Sequence, residues 1–441
     1  MDSDTSDITV VTASLARVGR RAGHVVRYFY AHLFSHHPRL RPLFPAVMDD
    51  QYERLFTALV QFVDQLGHPG LPARLARLGR DHRKFGIRDA DYAAVGESLV
   101  AAIRHHSARS WDDRTEEAWL RVYGVMAAAM TGGAHSSVLA DEPAWWDATV
   151  LSHRLHGGHT AVIHVLPSAG FPSLPGQYAT IEHPGLPGVW RPYSVAARPG
   201  RGGVLEFHIG RVADGLLSTV LCDGTSPGQV LRLGPASGSA LAPPPGTPAV
   251  TLIAAGTGWA PVKAVLGELL ARRPAPRIRI DVVARGEAHF YDANSLVELL
   301  RAQPCLSAYW WYQERGEGKV RAAERLHDHL SSRRDWPEES VYLCGPAMFV
   351  QETAELLHER GLPPGSLIRD PLPPSVKQRG YVSHAERFLD PLPVTWIDPD
   401  ARTRPLESPF EPASEQPGGG GWFEPEHDQH KATRRNSSRS A

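Results

Sequence analysis

The stretch LGRDHRKFGI, positions 78–87, sets one histidine among arginines and apolar residues. A neutral imidazole can ligate a metal, move a proton, or sit buried with a hydrogen bond. Leu71, Leu75, Leu78, His82 and Phe85 recur at steps of four and three, so a helix here points His82 inward. In DDQYERLFTALVQFVDQL, Gln51 heads the stripe Gln51, Leu55, Ala58, Phe62, and an amide buried without a partner costs about 1–3 kcal/mol. In VVRYFYAHLFSHHPRLRPLFP, Tyr30 stands with Phe29, Leu33 and Phe34, and Pro38, Pro42 and Pro45 make a compact corner around Phe44. Ordinary packing accounts for each of these alone. Together, inward-facing His82, Tyr30, Gln51 and Phe44 suit a bound cofactor with one axial nitrogen ligand and polar donors on its far side.

The chemistry changes downstream. WRPYSVAA supplies Arg191, Tyr193 and Ser194. A flavin needs such a set: a cation for its phosphates, an aromatic face for its ring and a small polar group at its reactive nitrogen. R-x-Y-S is a weak signal by itself. PGQY before it and DGLLSTVL after it add weight, because Gly215 and Ser218 can begin a helix that receives pyrophosphate at its N-terminus. LIAAGTGWAPVKAVL then offers Gly256, Thr257, Gly258 and Pro261, with proline where a full G-x-G-x-x-G has its third glycine. YLCGPAMFV places Cys344, Gly345 and Pro346 at a later strand end, where Cys344 is either a structural thiol or a cofactor neighbour.

Three kinds of element must position these groups. Residues 8 to about 140 are poor in glycine and proline and read as helical. From Trp146 to about Leu241, short alternating runs between Gly/Pro turns predict an antiparallel barrel or sandwich. After the linker APPPGTP, AVTLIAA, RIRIDVVAR and ESVYLCG read as buried strands alternating with helices, a parallel α/β domain. The predicted divisions are 1–142, 143–245 and 246–390, with 391–441 expected to be a disordered tail, a possible partner-binding segment.

Composition narrows the classes. The 441 residues carry a formal net charge of −1, which gives no reason to expect nucleic acid or an anionic membrane as partner. Cys222, Cys305 and Cys344 are far apart and form no CxxC pair, which argues against zinc, iron–sulfur or a disulfide framework and fits a reducing cytoplasm. MDSDTSD does not read as a signal peptide, and no apolar run reaches the roughly 20 residues that membrane insertion needs.

With these motifs in order, residues 8 to about 370 resemble the flavohemoglobin family. FYAHLFSHHPRLRPLFP, DQYERLFTAL and DHRKFGIRDADYAAVGESLVAAI are similar to its distal helix and corner, its distal glutamine helix and its proximal segment. The resemblance implies an all-α globin domain holding haem b, with His82 on the iron as proximal ligand. Tyr30 and Gln51 would face the bound gas, Leu55 would crowd it, Phe44 would pack on the porphyrin, and Tyr92 would be the proximal tyrosine. Arg191, Tyr193 and Ser194 match the flavin motif of the ferredoxin-reductase superfamily, and GTGxxP and CGP its nucleotide motifs. FAD and NAD(P)H are the implied cofactors, with NADH favoured, although VVARGEAHFYD offers both Arg285 and Asp292. The implied activity is nitric oxide dioxygenation, from NO and O2 to nitrate. The alternatives are a flavin or haem reductase with another donor or acceptor, and a non-catalytic oxygen binder or sensor. Two departures stand out. Ala134 falls where relatives carry a glutamate beside the proximal pair, and LIRDPLPPSVKQRGY lacks an aromatic to shield the flavin before Tyr381 or Phe388.

Overall fold

The computed structural model describes residues 2–369, apart from 20, 45–47, 108–109, 198–201, 239, 242–243, 245, 313–321, 333–335 and 337–338. The expected tail, Tyr381 and Phe388 lie outside the described residues.

Six α-helices come first: α1 Asp2–Gly19, α2 Ala22–His36, α3 Asp49–Asp64, α4 Leu71–His82, α5 Asp89–Ser107 and α6 Asp113–Leu139. Helix α1 reaches back beyond the apolar period that marks it in the sequence. Asp112 starts α6, its carboxylate accepting from the Thr115 N–H at 2.8 Å. The helices surround one core that includes Phe29, Tyr30, Leu33, Phe56, Ile103 and Trp119. Two glycines fix the tightest crossing. A Cβ added to Gly79 of α4 would lie 1.8 Å from the Met130 carbonyl oxygen, and one on Gly133 of α6 would lie 2.1 Å from that of Ala76. Only glycine lets the two backbones meet here. Among the described residues no helix is long and apolar enough to cross a membrane.

The middle region is a six-stranded antiparallel sheet built from β1 Trp146–His156, β2 Thr160–Pro167, β3 Tyr178–Glu182, β4 Arg191–Ser194, β5 Leu205–Gly210 and β6 Val230–Leu233, in the order β4-β3-β6-β1-β2-β5. A bridge between Val195 and Phe207, just past β4 and within β5, joins the two edges, so the sheet closes as the predicted barrel. Helix α7, Leu216–Asp223, packs Leu217 and Leu221 into its core.

The last region is a parallel sheet in the order β11-β10-β7-β8-β9: β7 Ala249–Ala255, β8 Arg277–Val283, β9 Leu306–Trp311, β10 Glu339–Cys344 and β11 Leu367–Arg369. Helices α8 Trp259–Ala271 and α9 Ala293–Ala302 contribute to one apolar cluster, and α10 Ala322–Ser332 and α11 Ala347–Glu359 to another. Both faces of the sheet are thus covered, which is why β7 reads as a continuous apolar run.

Candidate functional site

His82 is the last residue of α4. Its Nδ1 lies 2.8 Å from the Leu78 carbonyl oxygen, one turn back. A carbonyl only accepts, so Nδ1 carries the proton and Nε2 keeps a lone pair. Burial holds the imidazole below its ordinary pKa, against the pull of Asp81. A neutral histidine whose other nitrogen donates to backbone is the form that metal-ligating histidines adopt. The residue therefore fits an axial haem ligand.

Tyr30, 2% exposed, and Gln51 meet across α2 and α3 through a side-chain hydrogen bond. Burial pushes the Tyr30 hydroxyl well above its usual pKa, against the pull of the Gln51 hydrogen bond, so it stays protonated and can donate. Phe44 packs edge-on against Tyr30 at 5.5 Å, and Leu55 packs on the same core. The structure thus brings together three of the predicted distal groups, Tyr30, Gln51 and Phe44. Tyr92 lies half-buried on α5, its pKa pushed up to about 12 by burial, with Asp89 and Asp91 adding to the shift. Its backbone carbonyl accepts from the Tyr123 hydroxyl at 2.6 Å, but its own hydroxyl makes no hydrogen bond to a described residue. Ala134 is half-buried on α6, beside the Gly133 crossing.

The turn after His82 sits against the barrel, which the sequence did not announce. Lys84 donates to Thr180 Oγ1 on β3 at 2.9 Å, and Arg80 donates to the Ala236 carbonyl at 2.7 Å. Phe85 stands edge-on to His82 at 5.9 Å and to Trp190 at 6.4 Å. Trp190 immediately precedes Arg191, so these rings run from the histidine to the start of the flavin motif. The sequence signal was slight: a lysine in the turn RKFG whose partner is 96 positions away.

Strand β4 holds the flavin motif: Arg191 and Tyr193 are half-buried and Ser194 is buried. Burial raises the Tyr193 pKa well above the ordinary value. Gly215 is the N-cap of α7, where an added Cβ would come within 2.7 Å of Ser218 Oγ. The Ser218 hydroxyl accepts from Val212 N and donates to the Gly215 carbonyl, both at 3.1 Å. It therefore shapes the turn, and the open backbone N–H groups of α7 are what remains for an anion.

The nucleotide motifs also meet. Gly256 adopts φ +56°, open to glycine at no steric cost, and begins the one-turn helix Gly256–Gly258 before α8. A Cβ on Gly258 would lie 2.6 Å from the Cys344 carbonyl oxygen, and one on Gly345 would lie 2.9 Å from the Ala255 Cβ. GTG and CGP are thus two sides of one narrow seam at the strand ends, where α/β sheets bind ligands. Pro261 is buried in the first turn of α8, Cys344 is 4% exposed at the end of β10, and Pro346 caps α11. A pocket beside the seam is walled by Trp259, Phe290, Tyr291, Leu296 and Trp310.

One buried polar network was not foreseen. Lys263 of α8 reaches Glu206 of β5 at 2.7 Å and Asp292 at 2.8 Å. His208 lies 2.6 Å from Glu206 and takes the Tyr291 hydroxyl at 2.9 Å. Burial opposes ionisation of Glu206, but hydrogen bonds from His164 and His208, with the charge of Lys263, outweigh it and hold the carboxyl low. Glu206, His208 and Asp292 converge as metal ligands would, yet the Lys263 ammonium already pairs with both carboxylates as the cation.

Comparison with known proteins finds three family profiles along the chain. The family profile described as Globin matches residues 27–130, Oxidoreductase FAD-binding domain matches 166–240, and Oxidoreductase NAD-binding domain matches 252–355. A flavohemoprotein of Bordetella pertussis is 26% identical over 385 residues, 81% of this chain and 95% of that protein. One from Chromobacterium violaceum is 26% identical over 386 residues, 80% of this chain and 94% of that protein. The flavohemoglobin of Malassezia yamatoensis, solved with bound FAD and heme, superposes with a TM-score of 0.64 at 22% identity, covering 83% of this chain and 98% of that one, a likeness of fold. The chain thus carries a globin domain followed by FAD- and NAD-binding oxidoreductase domains, and over about four fifths of its length it is similar to flavohemoproteins.

Proposed function

We propose that this chain is a nitric oxide dioxygenase that draws electrons from NAD(P)H and converts nitric oxide and oxygen to nitrate. The observation that supports it best is the seat of the His82 helix on the barrel, through Lys84 to Thr180 and Arg80 to Ala236. A sensor has no need of an electron donor docked on its proximal helix. When bound, FAD divides an electron pair into single electrons and haem supplies the redox iron at which the gases react.

The chain's own residues do the rest. His82 would hold the haem iron through its Nε2 lone pair, in a tautomer set by the Leu78 carbonyl. Tyr30 keeps its proton and donates toward charge developing on oxygen, with Gln51 orienting its hydroxyl. Leu55 and Phe44 restrict the distal space. In this reading Arg191 would serve the flavin phosphates, Tyr193 its ring and Ser194 its reactive nitrogen. Gly215 and Ser218 shape the pyrophosphate turn. Gly256, Thr257, Gly258 and Pro261 receive the nucleotide, and Cys344, Gly345 and Pro346 border the nicotinamide.

The Tyr92 hydroxyl, which bonds to no described residue, and Ala134 favour a second reading, a reductase that passes electrons to another acceptor. A proximal histidine without a carboxylate partner is a less electron-rich ligand. Absorption spectra separate the two. Under nitrogen, NADH or NADPH should reduce first flavin and then haem, and admission of O2 and NO should yield nitrate in step with nucleotide oxidised. Haem that stays ferric rules out the dioxygenase, and haem that reduces without nitrate favours the other acceptor.

A further inference from the structure

We propose that the electron donor of this chain carries a 2′-phosphate, so that NADPH rather than NADH is its nucleotide; the proposal rests on residues 249–369 binding a nicotinamide nucleotide and names which one. The choice between the two depends on what meets the ribose 2′ position after the second strand of the nucleotide half. A carboxylate there accepts from a hydroxyl, and a guanidinium pairs with a phosphate. Here that segment runs from the end of β8 to Asp292.

The acids of the segment are mostly spent. Asp281 is fully buried within β8, gripped by Arg279 at 2.8 Å and by Trp311 Nε1 at 2.9 Å. Asp292 lines the pocket, but it accepts from Trp259 Nε1 at 2.7 Å and holds Lys263 at 2.8 Å. To bind a ribose hydroxyl it would have to loosen a network that also satisfies buried Glu206. Glu287, exposed, is the one carboxylate of the segment left over.

The cationic side is open. Arg285 is exposed two residues beyond β8 and makes no hydrogen bond or ion pair with a described residue. Its charge acts on His159, whose ring stacks on His289 at 4.6 Å and 9°. His289 lines the pocket, and its Nδ1 is buried with no hydrogen-bond partner. A buried imidazole nitrogen without a partner is costly unless a ligand supplies one. An exposed guanidinium next in the chain to the lining residue Ala284, with an unsatisfied imidazole in the lining itself, matches a phosphorylated ribose with its adenine in the aromatic pocket. A plain hydroxyl would leave the guanidinium unused.

The test is calorimetric titration of the holoprotein with NADP+, NAD+, 2′-AMP and inorganic phosphate. NADP+ should bind at least about ten-fold more tightly than NAD+, and 2′-AMP should compete with NADP+. Arg285→Gln should bring the two nucleotides to within about three-fold with NAD+ affinity unchanged. Arg285→Lys should fall between, and Glu287→Gln should leave the ratio alone. A wild-type preference for NAD+, a ratio that survives Arg285→Gln, or phosphate competing as well as 2′-AMP would each overturn the proposal. Flavin reduction under nitrogen keeps the two readings apart. Reduction by NADH in preference to NADPH defeats only this proposal, whereas reduction by neither defeats the nucleotide-dependent reductase itself.

Discussion

Lys84 of the globin domain donates to Thr180 of the barrel across 2.9 Å from a buried position. Its ammonium also holds Asp81 at 2.6 Å and stands 5.2 Å from the ring centres of both Phe85 and Trp190. Burial pushes the Lys84 pKa down and Asp81 pulls it back up. One side chain therefore ties the turn after His82 to the residue that opens the flavin motif.

Lys84→Met should separate electron delivery from electron supply. Removing the ammonium leaves the part-exposed Asp81 carboxylate without its partner, at a cost of about 1–3 kcal/mol in thermal unfolding. Stopped-flow mixing with NAD(P)H under nitrogen should show flavin reduction at the wild-type rate and haem reduction slowed. Equal slowing of both steps would mean that Lys84 acts on the reductase half.

His82→Ala should abolish stable haem binding while NAD(P)H-to-ferricyanide electron transfer persists. The imidazole is the one ligand assigned to the iron, whereas the flavin and nucleotide motifs lie on β4, α7, β7 and β10. Loss of the Soret band together with ferricyanide activity would mean that the modules are misassigned.

Adjacent glycines on α6 should respond in opposite directions. A methyl on Gly133 would meet the Ala76 backbone at 2.1 Å, so Gly133→Ala must push α4 and α6 apart and should cost about 2–4 kcal/mol. Gly132 has nothing within 4 Å of an added Cβ, so Gly132→Ala should stabilise by about 0.5–1 kcal/mol through helix propensity. Melting curves of the two variants, with haem retention as a second readout, check both signs.

Acid should destabilise the fold from near neutrality. Burial holds His183, His208 and His327 below the ordinary value of 6.5. Between the folded values and 6.5 the unfolded chain binds more protons, so this stability is complete above that window and is lost as pH falls through it. Melting temperatures should be flat from about pH 8 to 7 and decline below about 6.5, less steeply in His208→Gln. A protein equally stable at about pH 7 and 5 would contradict these burials.

Local pattern carried much of the fold. The stripe Leu71, Leu75, Leu78, His82 shows the helix and the inward face of α4, because a helical period repeats within one turn. The alternation in β1 and the unbroken apolar run of β7 separate a one-sided barrel strand from a strand covered on both faces. Hydrogen-bond partners were less accessible. Ser218 matched a phosphate motif, yet its hydroxyl is satisfied within its own turn. Asp292 and Arg285 were equal candidates for reading the ribose, and nothing in VVARGEAHFYD says that Lys263 and Trp259 occupy the acid.

The kinds of element, their order and the candidate residues for a metal ligand, a flavin and a nucleotide were legible from the amino acids alone. Those depend on side-chain chemistry and short-range spacing, which a linear string contains. Which groups are open and which are spent emerged with the folded packing. His82 keeps its Nε2 lone pair because the Leu78 carbonyl accepts the hydrogen bond of the protonated Nδ1, Tyr30 finds Gln51, and Lys84 reaches Thr180 on another domain. Such pairings rest on close approach between distant segments, set by core packing and by glycine crossings such as Gly79 and Gly133.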